Sequence, residues 1–227
     1  MYQRRNGEEW RHVWVAGDIH GCYQTLMDEL KRRHFNPYED LLISVGDIID
    51  RGPDSLKCLQ LLNEKWFCAV RGNHEQMALD SLENNDFSLW TLNGGMWFSR
   101  LDKASQNQAI TLLEACRTLP YIIEIPCANG LNVVAHADYP AKEYVWNQPV
   151  SAQRIVWDRD RLMGFMAGKG QGISGADHFW FGHTPVDRRY DFHNLHYIDT
   201  GAVFDGYLTL VQLQSVSHTH LRAHETL

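Results

Sequence analysis

Hydrophobic residues along this chain gather in short runs separated by polar, turn-rich stretches. Eight runs have strand character: His12–Ala16, Leu41–Val45, Trp66–Val70, Tyr121–Ile125, Leu131–Ala135, His178–Phe181, Leu195–Ile198 and Leu208–Leu213. They are rich in Val, Ile and aromatic side chains, which suit a packed pleated surface. Between the early runs the apolar spacing becomes helical. Tyr23–Arg33 places Leu26, Met27 and Leu30 on one face, and Pro53–Asn63 repeats Leu56, Leu59 and Leu62 behind a proline at the first helical position. Glu75–Leu82 and the amphipathic Ser105–Leu119 predict two more helices. The alternation of strand and helix through the N-terminal third predicts parallel pairing across helical connections. Denser strands further on predict a mixed second sheet, and Ala141–Gly175 predicts loops and short helices beside a site.

A chain of 227 residues suits one α/β domain, expected over residues 1–214. Residues 215–227, with three histidines, are expected to be a loose or non-native tail. The net charge of −7 argues against a broad nucleic-acid surface, which needs clustered Lys and Arg. The five cysteines form no Cys-x-x-Cys pair and are odd in number, so neither a disulfide framework nor a cysteine zinc site is expected. No apolar run is long enough to cross a bilayer, and the polar segment Met1–Arg11 is no signal peptide. The expectation is a cytoplasmic monomer with no membrane partner.

Chemistry enters at the ends of the runs. Five strand-like segments lead directly into Gly17-Asp18-Ile19-His20-Gly21, Gly46-Asp47-Ile48-Ile49-Asp50-Arg51-Gly52, Arg71-Gly72-Asn73-His74-Glu75, His136-Ala137-Asp138 and Gly182-His183-Thr184. One such segment alone is what an ordinary turn or helix cap would show. Five together point to one place, because sites in open α/β sheets form beyond the carboxyl ends of the strands. Carboxylate oxygen and imidazole nitrogen suit divalent cations such as Mn²⁺, Fe²⁺ or Zn²⁺. A carboxylate such as Asp47 can bridge two of them, the arrangement that clamps a phosphoryl group. No cysteine is followed six residues on by arginine, so a cysteine-nucleophile phosphatase is excluded. His12, His34, His178, His193 and His196 lack this glycine-flanked context and are expected to be structural, and Arg154, Arg161 and Arg188 to be solvated surface charges.

The first three segments resemble the signature blocks of the phosphoprotein phosphatases, within the calcineurin-like metallophosphoesterases. His136-Ala137-Asp138-Tyr139-Pro140, Phe181-Gly182-His183-Thr184-Pro185 and Tyr197-Ile198-Asp199-Thr200-Gly201-Ala202-Val203 are similar to the phage and enterobacterial branch. The resemblance runs from about Trp10 to Gln214. It implies a four-layer α/β/β/α sandwich with a βαβαβ metal-binding core, two divalent metal ions (Mn²⁺ foremost, with Fe, Zn or Ni as alternatives) and phosphoprotein substrates. It implies that Asp18 and His20 bind one metal, that Asn73, His136 and His183 bind the other, and that Asp47 bridges. It makes His74 the general acid oriented by Asp50, has Arg51 and Arg159 grip the phosphate, and gives Arg71 a supporting contact to phosphate or carboxylate.

The reaction it implies is hydrolysis of phosphoserine and phosphothreonine monoesters, with phosphotyrosine or phosphohistidine as further substrates, by direct attack of a metal-bridging hydroxide. Two rivals stand beside it. A symmetrical dinucleoside tetraphosphatase shares the first block, but Asp50 and Glu75 favour the protein phosphatase. An inactive metal- or phosphopeptide-binding module is expected to have lost His74, Asp50 or an arginine, and this chain retains all of them.

Overall fold

A computed structural model describes residues 1–215. The tail expected from residue 215 onward therefore lies outside the described residues, except Ser215, which ends the last strand.

β2 (His12–Ala16), β3 (Asp40–Ser44) and β4 (Phe67–Ala69) pair in parallel, in the order predicted from the alternation of runs. Their connections carry α1 (Tyr23–Arg32) and α2 (Ser55–Gln60), and α3 (Asn73–Asn84) follows β4. β10 (Leu210–Ser215) closes this four-stranded sheet antiparallel to β2. The second sheet has six strands and is mixed, as expected. β5 (Ile122–Cys127) and β6 (Gly130–Ala135) form a hairpin, β6 pairs in parallel with β7 (His178–Phe181), and β7 with β9 (Leu195–Tyr197). β1 (Tyr2–Arg4) and β8 (Tyr190–Phe192) are its edges.

Side-chain alternation builds the layers. In β2, Val13 and Val15 face one way and Trp14 and Ala16 the other, yet nearly all are buried because both faces are covered. Val13, Val15, Leu41, Ile43 and Cys68 meet Ile123, Ile125, Val134 and Trp180 of the second sheet in a dry inter-sheet layer. Trp14, Leu42 and Phe67 pack on the other face against Leu26, Leu59, Ala78 and Leu113, the last from α6 (Lys103–Ala115). The outer face of the six-stranded sheet is covered by Tyr139, Tyr144, Ile155, Leu162 and Phe165; Ile155 and Leu162 lie on the short helices α7 (Ala152–Trp157) and α8 (Asp160–Met166). The result is the expected helix, sheet, sheet, helix sandwich. Among the described residues no helix is long and apolar enough to cross a membrane.

Three local features differ from the sequence expectation. α2 starts at Ser55 rather than at Pro53, because Gly52 and Asp54 give their N–H groups to His20 and Gly21 and hold Gly52–Asp54 as a turn. β1 escapes a hydrophobic-run search because it is a three-residue polar edge whose Arg4 pairs with Glu124. The segment after α3 forms α4 (Ser88–Trp90), a wide turn over Thr91–Gly95 and α5 (Met96–Ser99).

Ile43 is fully buried in the inter-sheet layer. Ile43→Ala is expected to cost about 2–5 kcal/mol through lost burial and a residual cavity. Leu92→Ala, at a side chain 85% exposed, is expected to stay within about 0.5 kcal/mol. Urea unfolding monitored by circular dichroism checks both.

Candidate metal centre

The five segments singled out in the sequence meet at the carboxyl ends of β2, β3, β4, β6 and β7. Cross-loop backbone bonds lock them together. Ile19 and His20 donate to the Asp47 carbonyl, Gly21 to Ile48, and Gly182 to His136. Two glycines permit the approach: a Cβ on Gly72 would lie 2.1 Å from Asp47 Oδ1, and one on Gly182 would lie 1.9 Å from Asp18 Oδ1. His20, Asp47, Asp50, Arg51 and His183 all adopt positive φ, between 44° and 74°. Such a backbone costs non-glycine residues about 1–2 kcal/mol each, and strain of this kind concentrates at functional sites.

Two groups of ligand atoms result, and they share Asp47. Potential ligand atoms of His20, Asp47 and His74 lie within 4.8 Å of one another, and so do those of Asp47, His136 and His183. All five residues are buried. Asn73 Oδ1 stands 2.9 Å from both His136 Nε2 and His183 Nδ1. Asp18 is in the same layer, with its carboxylate accepting the backbone N–H of His183 at 3.1 Å. The structure thus brings together all six expected metal ligands, and it sets His74 closer to Asp47 than a separate acid group would require, at 3.8 Å.

The donor set fits a cation. His136 Nδ1 donates to the Val45 carbonyl at 2.7 Å, and its Nε2 faces Asn73 Oδ1 and, at 3.4 Å, Asp47 Oδ1. Burial works against the imidazolium of His136, but Asp47 outweighs it and raises the pKa, so positive charge is favoured where these atoms converge, whether carried by a proton or by a cation. His20 Nδ1 likewise donates to the Ile49 carbonyl at 2.8 Å and leaves Nε2 facing inward. Burial holds the His20 and His183 imidazoles neutral, with pKa values down to about 3, which is the ligating form. Burial alone pushes the Asp47 carboxyl upward, but the neighbouring His136 and His74 rings hold it well below the usual carboxylate range. Asp47, common to both groups, is therefore ionised.

Comparison with known proteins agrees with this geometry. The family model for calcineurin-like phosphoesterase matches residues 11–187. The chain belongs to the calcineurin-like phosphoesterases. It is 56% identical over 214 residues to serine/threonine-protein phosphatase 1 of Salmonella typhimurium (strain LT2), covering 94% of this chain and 97% of that protein. It is 46% identical over 213 residues to serine/threonine-protein phosphatase 2 of Escherichia coli (strain K12), covering 94% and 98%. The crystal structure of a candidate diadenosine tetraphosphatase superposes with a TM-score of 0.66 at 24% identity over 93% of each chain, a likeness of fold.

Around the ligands of this calcineurin-like phosphoesterase stand the other expected residues. His74 Nδ1 donates to Asp50 Oδ2 at 2.7 Å. Burial disfavours the imidazolium of His74, but Asp47 and Asp50 outweigh it and raise its pKa above the ordinary value. Arg51 reaches His20 Nε2, and Arg159 Nε donates to His183 Nε2 at 3.2 Å. One guanidinium therefore flanks each ligand group. Arg71 does not join them. Its guanidinium donates to Gln76, Tyr121 and the carbonyls of Arg117 and Leu119, so it braces the entrance to β5. Arg161 departs from its expected solvated role, donating at 2.6 Å to the buried carboxylate of Asp138 beside His136.

Three further residues have roles the sequence reading did not assign. Trp90 and Trp97 donate to Asp50, from a segment assigned no element. Glu75, fully buried, accepts the backbone N–H groups of Gly72, Asp47 and Ile48 at 2.8, 3.0 and 2.9 Å. Its place three residues after Gly72 is the spacing of a capping box, the signal that could have marked it.

Removing Glu75 strands three buried donors around Asp47. Glu75→Ala is expected to lose about 3 kcal/mol or more of stability and to weaken metal binding about 10–100-fold, as loss of ligand-orienting partners does. Calorimetric titration with Mn²⁺ of the chelator-treated protein measures the second effect. Wild-type affinity in the variant would show that the Asp47 loop holds its shape without the clamp.

Proposed function

We propose that this protein is a metal-dependent serine/threonine protein phosphatase whose substrates are phosphoserine and phosphothreonine side chains of other proteins. The observation that carries the proposal is the His74–Asp50 pair, buried beside two ligand groups that share Asp47 and are each flanked by an arginine. Near-full-length identity to two proteins named serine/threonine-protein phosphatases supports it. Identity to the symmetrical bis(5'-nucleosyl)-tetraphosphatase of Photorhabdus laumondii spans only 28% of this chain, and the solved candidate tetraphosphatase shares the fold. Five free cysteines suit a reducing compartment such as the cytoplasm.

Asp18, His20 and Asp47 would hold one divalent cation, and Asp47, Asn73, His136 and His183 the other, with Mn²⁺ the foremost candidate. When bound, the pair supplies an activated water and compensates charge on the phosphoryl oxygens. The protein's own groups do the rest. Arg51 and Arg159 donate from opposite sides, and their planar forks suit phosphate oxygens. His74 Nε2 faces the centre while Nδ1 is held by Asp50. It would deliver a proton to the seryl or threonyl oxygen as the P–O bond breaks. An alkoxide is a poor leaving group, so this proton matters. Direct displacement on phosphorus inverts its configuration.

His74→Asn is therefore expected to reduce turnover of an alkyl phosphoester, such as a phosphoserine peptide, by about 10²-fold or more. With para-nitrophenyl phosphate, whose leaving group needs little protonation, the loss should be much smaller. Both rates are measured with Mn²⁺ present, and activity should vanish on chelation and return with metal. Equal losses on the two substrates would remove His74 from the role of acid. Release of ADP from diadenosine tetraphosphate at a higher kcat/KM than phosphate from the peptide would overturn the substrate assignment.

A further inference from the structure

Asp50 is fully buried and lies at positive φ with its backbone N–H on Ser55 Oγ. Its carboxylate meets three ring donors. His74 Nδ1 is 2.7 Å from Oδ2. Trp90 Nε1 lies 2.9 and 2.8 Å from the two oxygens, and Trp97 Nε1 lies 2.7 Å from Oδ1. The two indoles cross nearly at right angles, at 87° with centroids 6.0 Å apart, so they approach the carboxylate along different directions. Phe87 and Phe98 stack on each other and pack against Trp90, and Phe98 also packs against Trp97.

The turn between the two tryptophans is shaped for this contact. A Cβ on Gly95 would lie 2.7 Å from the Trp90 ring, and one on Gly94, at φ 114°, would lie 2.7 Å from Arg51 Cγ. Arg51 also gives its backbone N–H to the Gly94 carbonyl. One segment, Trp90–Trp97, therefore presses on the partner of the acid and on a phosphate-side arginine together. Trp90 is 1% exposed. Trp97 is half-buried, and with Arg51, Leu56, Met96 and Arg100 it walls a cavity of about 870 Å³.

We propose that Trp90 and Trp97 are positioning residues for the leaving-group step: their indole N–H groups fix the plane of the Asp50 carboxylate and thereby aim His74 at the departing oxygen. A carboxylate bonded to His74 alone could turn about its own side-chain bonds and carry the imidazole with it. Two further donors, set on a packed aromatic cluster, remove that freedom. Reactivity is sensitive to such aim, because misplacement of about 1 Å can cost about 10²-fold in rate. Trp97 and Arg51 line the same cavity, so the group that holds the dyad lies beside an arginine of the site. The inference rests on the reading of His74 as acid given above.

Trp97→Phe removes one N–H and keeps an aromatic wall. With the Mn²⁺-loaded enzyme, the kcat for a phosphoserine peptide is expected to fall about tenfold, the size of one lost hydrogen bond to a charged group. The kcat for para-nitrophenyl phosphate is expected to hold within about twofold, and KM for the peptide likewise. Trp90→Phe should shift the ratio the same way. The alkyl-to-aryl ratio within one preparation does not depend on the fraction folded, so a partly unfolded variant still reports. His74→Asn is measured alongside. If it is alkyl-selective and neither tryptophan variant is, the inference is overturned and the acid assignment stands. If His74→Asn is itself unselective, the acid assignment fails and takes the inference with it. Selective loss in both the histidine and the tryptophan variants establishes the positioning role.

Discussion

The Glu75 carboxylate is the contact on which the site turns. It sits where no water reaches, and its partners are backbone N–H groups of Gly72, Asp47 and Ile48. It thereby ties the loop after β3 to the first turn of α3. His74, in that turn, returns its backbone N–H to Asp47 Oδ1 at 3.0 Å. Asp47, the residue common to both ligand groups, is thus fixed through its own N–H by one carboxylate and through its side chain by the helix that carries Asn73 and His74. A side chain held this way has little freedom to rotate, so any cation held by either ligand group would have to fit its fixed position.

The electrostatics of the centre make sense only with positive charge added. Asp18, Asp47, Glu75 and Asp199 are buried within reach of one another's fields. Burial and the neighbouring carboxylates push Asp18 well up, burial foremost raises Glu75 to about 7, and burial foremost raises Asp199 to about 6. Only Asp47, ringed by imidazoles, is driven the other way. A cluster of acids that burial and mutual repulsion would neutralise is costly to keep ionised without compensation. Divalent cations relieve that cost, and in doing so they couple metal binding to the stability of the strand-end loops.

Much of this was legible in the sequence, for a physical reason. Parallel strands buried on both faces read as continuous apolar runs, and each ends where the chain must turn. Gly17-Asp18, Gly46-Asp47 and Gly182-His183 therefore stand out as polar breaks after apolar runs. The approximate place of the site followed from that pattern, and the family resemblance supplied the expected ligand assignment. The direction of a long side chain followed from neither. Arg71 sits beside the ligands in sequence, yet its guanidinium turns to carbonyl oxygens and Tyr121. Arg161, which resembled a surface charge, turns inward to Asp138. Nor did local pattern reveal Trp90 and Trp97, because the wide turn at Gly94–Gly95 breaks helical periodicity between them. Their shared partner is 40 and 47 positions away in the chain, and such a contact leaves no trace in local spacing.

The positive φ values at His20, Asp47, Asp50, Arg51 and His183 link these strands of argument. None of the five is glycine, although glycine would relieve the backbone, because each position must also deliver a functional side chain. The unfavourable backbone has to be offset by contacts that hold the loops wherever the side chain goes. Those contacts are the cross-loop bonds from Ile19, His20 and Gly21 to Asp47 and Ile48, the Glu75 clamp, and the dry layer between the sheets beneath them. The strain therefore sits on a base that is rigid for reasons independent of the chemistry. Loosening the inter-sheet layer should disturb the loops only as far as the sheets themselves move, whereas loosening Glu75 or the indoles acts on the reacting groups directly. The inter-sheet layer thus carries stability beneath the chemistry, whereas Glu75 serves stability and the site together.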